Sequence, residues 1–185
     1  EKPVLRRVLA HRAEASIRMM ERGLVPPVVA AQRLEALAGA YPDALEPAAG
    51  RLWIAAKTAP PDPEAVTAWS TKVIERLRAA EPEQQRFFVR LGIDPYLLLA
   101  AQCRAQGLLD DASAVLREAV SYYPGPRLPH WRELARVETA RGRPHDAAAA
   151  WAHYVERAPL DADALLDYAA ALVRVGKGNE AAARL

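Results

Sequence analysis

The chain has 185 residues and only one cysteine, Cys103, two phenylalanines and a single asparagine, Asn179. One cysteine excludes an intrachain disulfide framework and a zinc site built on several thiolates. It leaves the compartment open between the cytoplasm, the plainer expectation, and the periplasm. No apolar run approaches the roughly 18 residues a membrane span needs, so no membrane insertion is expected. No signal-peptide pattern is present either, but the chain opens without Met and stops at Leu185 inside a repeat. It therefore reads as a fragment, in which a missing address carries little weight. Thr and Ile are scarce, and no alternating run of Val, Ile or Tyr suggests a strand. Charge of one sign is also lacking: the net charge is +2, from 14 basic and 11 acidic side chains in residues 1–92 and 11 and 12 in 93–185. That balance argues against nucleic acid as a partner.

What is abundant is Ala, about 40 residues, followed by Leu, Arg and Glu, all strong helix formers. The expectation is an all-α chain of closely packed helices. Arg outnumbers Lys about five to one, which with so much Ala points to GC-rich, bacterial coding.

Proline and glycine punctuate the chain into helix pairs. A first helix opens at Pro3 and ends at Gly23, with Leu5, Leu9, Ala13, Ile17 and Met20 on one face and Arg6, Arg7, Arg18 and Arg22 on the other. A second opens at Pro26-Pro27 and closes at Tyr41-Pro42. A third, from about Glu46 to Lys57, stops at Pro60-Pro61-Asp62-Pro63, and a fourth runs from Glu64 to Ala80. A short run around Phe87 and Phe88 ends at Gly92, and Asp94-Pro95 reads as an N-cap followed by the first helical position.

From Ile93 onward one pattern returns three times. Gly107, Gly142 and Gly176 are 35 and 34 residues apart, and their flanks fall into register. Before each glycine come Tyr96, Leu99 and Ala100; Trp131, Leu134 and Ala135; Leu165, Tyr168 and Ala169. After each come Ala112 and Leu116; Ala147 and Trp151; Ala181 and Leu185. Pro124 and Pro159 close two of the units. Small residues at the recurring Ala positions let helices approach closely, and large ones at Tyr96, Leu116, Trp131, Trp151 and Leu185 fill the gaps between pairs. The glycines supply the left-handed backbone that ends a helix. Asp110 is expected to cap one helix, and Asp161 or Asp163 another.

These residues resemble the tetratricopeptide repeat, whose pattern is answered by Trp131, Leu134, Ala135, Ala147, Trp151 and Pro159. The resemblance covers residues 93–185 as two and a half repeats (93–127, 128–161 and a truncated 162–185). Residues 1–92 match only as irregular helix pairs. Cys103, Glu138 and Leu172 stand where the family carries Tyr. The resemblance implies one continuous α-α superhelix of about four to five stacked pairs, with the first helix of each pair lining a concave groove. That groove would present Leu97, Ala101 and Arg104 from the first repeat, Arg132, Arg136 and Thr139 from the second, and Leu166, Ala170 and Arg174 from the third. Its arginines, in a half of net charge about minus one, favour an acidic or C-terminal carboxylate group on a protein or peptide partner.

No catalytic or cofactor pattern accompanies the repeat. His11, His130, His145 and His153 lack metal-ligand spacing, and Gly176-Lys177-Gly178 lacks the frame of a phosphate loop. Cys103 falls at a packing position, and no serine sits in a nucleophile elbow. Of Tyr122 and Tyr123, one is expected to pack under the turn and the other to be exposed. The expectation is a non-enzymatic interaction scaffold, without metal or cofactor, in a bacterial multi-protein assembly; self-association is open. The alternative is the substrate-recruiting region of a larger enzyme such as a protein glycosyltransferase.

Overall fold

The computed structural model describes residues 2–184, and among them eleven helices follow one another with no strand. They are α1 (Lys2–Glu21), α2 (Pro27–Ala40), α3 (Leu45–Lys57), α4 (Pro63–Arg78), α5 (Pro82–Arg90), α6 (Pro95–Ala105), α7 (Leu109–Tyr122), α8 (Leu128–Ala140), α9 (Pro144–Val155), α10 (Ala162–Arg174) and α11 (Gly178–Arg184). The all-α expectation holds. The chain divides into two compact units, Glu1–Leu99 and Ala100–Leu185, with the division inside α6.

In the first unit, helix starts are set by proline in the first turn of α2, α4 and α5, where a missing N–H costs nothing. Asp62 adds a cap to α4, its Oδ1 accepting from the N–H groups of Glu64 and Ala65 at 3.0 and 3.1 Å. Helix α3 packs against α1, α2, α4 and α5, which explains why it is apolar nearly all round. Its Gly50 sits in a tight place: a Cβ there would lie 3.0 Å from a Leu34 methyl on α2. Ala13, Ala30, Leu34, Ile54 and Phe87 form a shared core, so Phe87 belongs to the packing of α1, α2 and α3.

In the second unit, α7 to α11 pack each against the next. The recurring small residues Ala100, Ala112, Ala135, Ala147, Ala169 and Ala181 are all buried, as are Leu116 and Trp151. Trp131 is only half-buried and stacks on His153, with ring centroids 4.2 Å apart. Leu185 lies outside the described residues. Tyr123 is buried and Tyr122 exposed, the division expected of that pair. Gly107, Gly142 and Gly176 have φ of 77°, 69° and 80°. In each case the following N–H donates back to the carbonyl four residues before the glycine: Leu108 to Cys103, Arg143 to Glu138 and Lys177 to Leu172, at 2.8, 2.9 and 2.9 Å. This is the glycine-terminated helix end that satisfies otherwise orphaned carbonyls.

Asp161 caps α10, its Oδ1 accepting from Ala164 N–H at 3.1 Å, and Asp94 caps α6 through the N–H groups of Tyr96 and Leu97. Asp110 departs from expectation. The tight turn after Gly107 makes Leu108 the residue preceding α7, with no side-chain cap, and places Asp110 two positions past the cap. Its carboxylate instead receives Arg141 Nε at 2.9 Å.

Candidate functional site

Within the second unit, one face of α8 and one of α10 stay open to solvent. Arg136 and Thr139 are exposed on α8; Leu166, Asp167, Ala170, Val173 and Arg174 are exposed on α10, at the spacing of one helix face. Two of these are large apolar side chains left more than half uncovered, Leu166 at 57% and Val173 at 59%.

A cavity of about 420 Å³ opens between α8, α9 and α10. Its floor is Trp151 and Ala147 of α9 with Ala171 of α10; Thr139, Ala170 and Pro144 form the walls; Arg136, Arg174 and Asp167 carry the charge. Four of the residues expected from sequence therefore meet here: Arg136, Thr139, Ala170 and Arg174. Leu166 lies further along the same face of α10. Ala101 and Arg104 are exposed at the end of α6, and Leu97, half-buried, belongs to the first unit. The indole of Trp151 was legible from sequence as a gap-filler, not as a cavity floor. The spacing of Ala147 and Trp151, one turn apart on α9, carries that information.

The arginines have different employment. Glu133 bridges two of them, its Oε2 accepting from Arg104 Nη1 at 2.7 Å and its Oε1 from Arg136 Nη1 at 2.8 Å. Arg132, half-buried, acts electrostatically on the Tyr154 hydroxyl and on Asp161. That hydroxyl donates to Asp161 Oδ2 at 2.8 Å, which raises the phenol pKa and, together with the Ala164 N–H, lowers that of the carboxyl. Arg132 thus serves the junction of α8, α9 and α10, while Arg136 and Arg174 stand at the cavity.

Nothing in this constellation resembles a nucleophile with its base. Burial, with a contribution from Asp111, pushes the Cys103 thiol pKa up, away from the reactive thiolate. Among the described residues no three His, Cys, Asp or Glu side chains are grouped to hold a metal, and no helix is long and apolar enough to cross a membrane.

No family model and no curated protein sequence matches the chain. Solved structures do. The MamA protein superposes with a TM-score of 0.68 at 13% identity, over 95% of this chain and 87% of that one. PilW, described as a widely conserved type IV pilus biogenesis factor, gives a TM-score of 0.57 at 20% identity, over 93% of this chain and 73% of that one. A putative kinesin light chain from Podosopora anserina, with nearly identical TPR-like repeats, gives 0.57 at 20% identity, over 95% and 90% of the two chains. With glycine-ended helices, buried alanines at a 34-to-35-residue period and these likenesses together, the fold is a tetratricopeptide-like all-α repeat.

Proposed function

We propose that the chain is a non-enzymatic protein-interaction scaffold that holds a peptide segment of its partner on the exposed face of α8 and α10. The observation that carries this reading is the cavity floored by Trp151, with Arg136 and Arg174 at its edge and uncovered Leu166 and Val173 beside it. A buried indole with small aliphatic walls accepts one apolar side chain, and the guanidinium groups offer forked hydrogen bonds to a carboxylate. The segment that fits presents an apolar residue next to an acidic side chain or a C-terminal carboxylate. PilW, a pilus biogenesis factor, supports a bacterial multi-protein assembly as the setting.

Site-specific photo-crosslinking in cells tests the reading. A crosslinker at Thr139 or Ala170 is expected to capture a partner, and Arg136→Glu with Arg174→Glu to abolish the capture while helicity is kept. Equal capture from exposed Ala149 on α9, or capture indifferent to the two arginines, would overturn it.

A further inference from the structure

Arg76, in the last turn of α4, has its Nη1 buried with no hydrogen-bond partner. That nitrogen is closed off from solvent, so an oxyanion meets the half-exposed part of the side chain that lines a cavity, where a charge-assisted bond to the guanidinium is favourable. Burial lowers its pKa in spite of Asp43 and Glu75 nearby. This cavity, of about 800 Å³, lies in the first unit, and its apolar walls include Leu5 and Leu9 of α1 and Ala79 after α4. Arg6 lines this cavity and also a second one, of about 240 Å³, where it is joined by Arg7, Arg86 and Arg90. Arg6, on the arginine face of α1, thus stands between two adjoining recesses.

Two acidic residues line the smaller recess, Glu46 and the exposed Glu83, against four arginines. Glu46 is 2% exposed and receives Gln84 Nε2 at 3.4 and 3.5 Å, while Arg7, Arg86 and Arg90 are exposed. Basic side chains outnumber acidic ones along both walls. Together the recesses are larger than a lone inorganic anion requires and fall in the size range of sites that enclose several connected groups.

We propose that the surface formed by α1, α4 and α5, centred on Arg6 with Arg76, Arg86 and Arg90 around it, binds an acidic peptide segment, a second site besides the α8 and α10 face. Carboxylates of the segment take the guanidinium forks, and aliphatic side chains between them lie against Leu5, Leu9 and Ala79. A nucleic acid fits less well, because the chain as a whole carries only +2 and offers little counterion release.

The test is fluorescence anisotropy on the whole chain, with a labelled short peptide of alternating Glu and Leu as probe. The same peptide with Gln for Glu, inorganic phosphate and a single-stranded oligonucleotide serve as comparators. The acidic peptide is expected to bind and its Gln counterpart not to. Exchanging exposed Arg86→Gln and Arg90→Gln, which leaves the core intact, is expected to weaken binding about tenfold, as is Arg76→Gln. Circular dichroism checks that each variant folds. Arg136→Glu with Arg174→Glu is expected to leave this binding unchanged, so this site and the α8 and α10 face can fail separately. Equal binding of both peptides, no response to the Arg86 and Arg90 exchanges, or loss through Arg136 and Arg174 instead would overturn the proposal. So would displacement by phosphate or oligonucleotide at lower concentration than by the unlabelled acidic peptide.

Discussion

Glu138 Oε2 accepts a hydrogen bond from Arg141 Nη1 at 2.8 Å, although the Glu138 side chain has no solvent exposure at all. Its other oxygen accepts from Ser113 Oγ at 2.6 Å and Arg117 Nη2 at 2.9 Å, and Arg117 reaches on to Asp146 at 3.2 Å. A buried carboxylate is tolerated only when its lone pairs are filled, and here α7, α8 and α9 all contribute to filling them or their donors. Removing it takes one of the two carboxylates that hold the mostly buried Arg141, leaving Asp110 on its Nε, while Arg117 can turn to solvent. Glu138→Ala is therefore expected to cost about 3 kcal/mol, toward the lower end for a broken buried pair. Urea denaturation measures this, and a loss under about 1 kcal/mol would show the network to be nearly neutral.

Two glycines are expected to respond to alanine for different reasons. At Gly142 a Cβ would meet nothing within 4 Å, but φ is 69°, so Gly142→Ala should cost about 1 kcal/mol through backbone strain alone. Gly142→Asn should recover part of that, because Asn tolerates the left-handed region. Gly50 is helical, and its difficulty is the Leu34 methyl at 3.0 Å. Gly50→Ala combined with Leu34→Val should then be better tolerated than Gly50→Ala alone. Thermal melts of the four variants distinguish strain from crowding.

The pairing of Tyr154 with Asp161 predicts a pH dependence. The Tyr154 hydroxyl bond and the Ala164 N–H hold the Asp161 pKa below its ordinary value. A depressed carboxyl contributes stability that is present above the unfolded pKa, about 4, and is lost as pH falls through the lower folded value. Melting temperature should thus fall on acidification below about pH 4, and Asp161→Asn should flatten that part of the curve. Tyr154→Phe removes the larger cause and should flatten it partly, leaving the cap on α10 in place. An acid limb unchanged in both variants would contradict the assignment.

Much of the fold was legible because its punctuation is chemical. Glycine ends, proline starts and Asp-Pro caps fix the helices within a residue or two, and the alanine period fixes which faces meet. Asp110 shows the limit: Leu108 and Leu109 follow Gly107 so tightly that the carboxylate enters the first turn, and only the arrival of Arg141, 31 residues away, explains its role. Glu138 is similar. At a place where the resembling family has an aromatic ring, its charge is intelligible only through Ser113 and Arg117, 25 and 21 residues distant. That α8 and α10 would present a face for a partner was implied by the family resemblance, which puts the first helix of each pair on the groove. The separation of Arg132 from Arg136 was not, because it depends on Tyr154 reaching across from α9.

Glu133 offers the most direct probe of how an acidic partner would be read. It accepts from both Arg104 and Arg136, so it occupies the guanidinium groups that a partner carboxylate would use. An acidic ligand at Arg136 must displace it, and the protein's own carboxylate acts as a competitor at fixed local concentration. Glu133→Gln keeps the shape and removes the charge. Because both arginine side chains are more than two-fifths exposed, the ion pairs contribute little to stability, and unfolding free energy should change by less than about 1 kcal/mol. Affinity for a partner segment bearing a carboxylate should rise several-fold, and the gain should shrink in high salt as screening weakens both competitors. The added Arg136→Glu change should erase it. If Glu133→Gln instead weakens binding, Glu133 contacts the partner itself, and the segment on this face carries a donor where a carboxylate was expected.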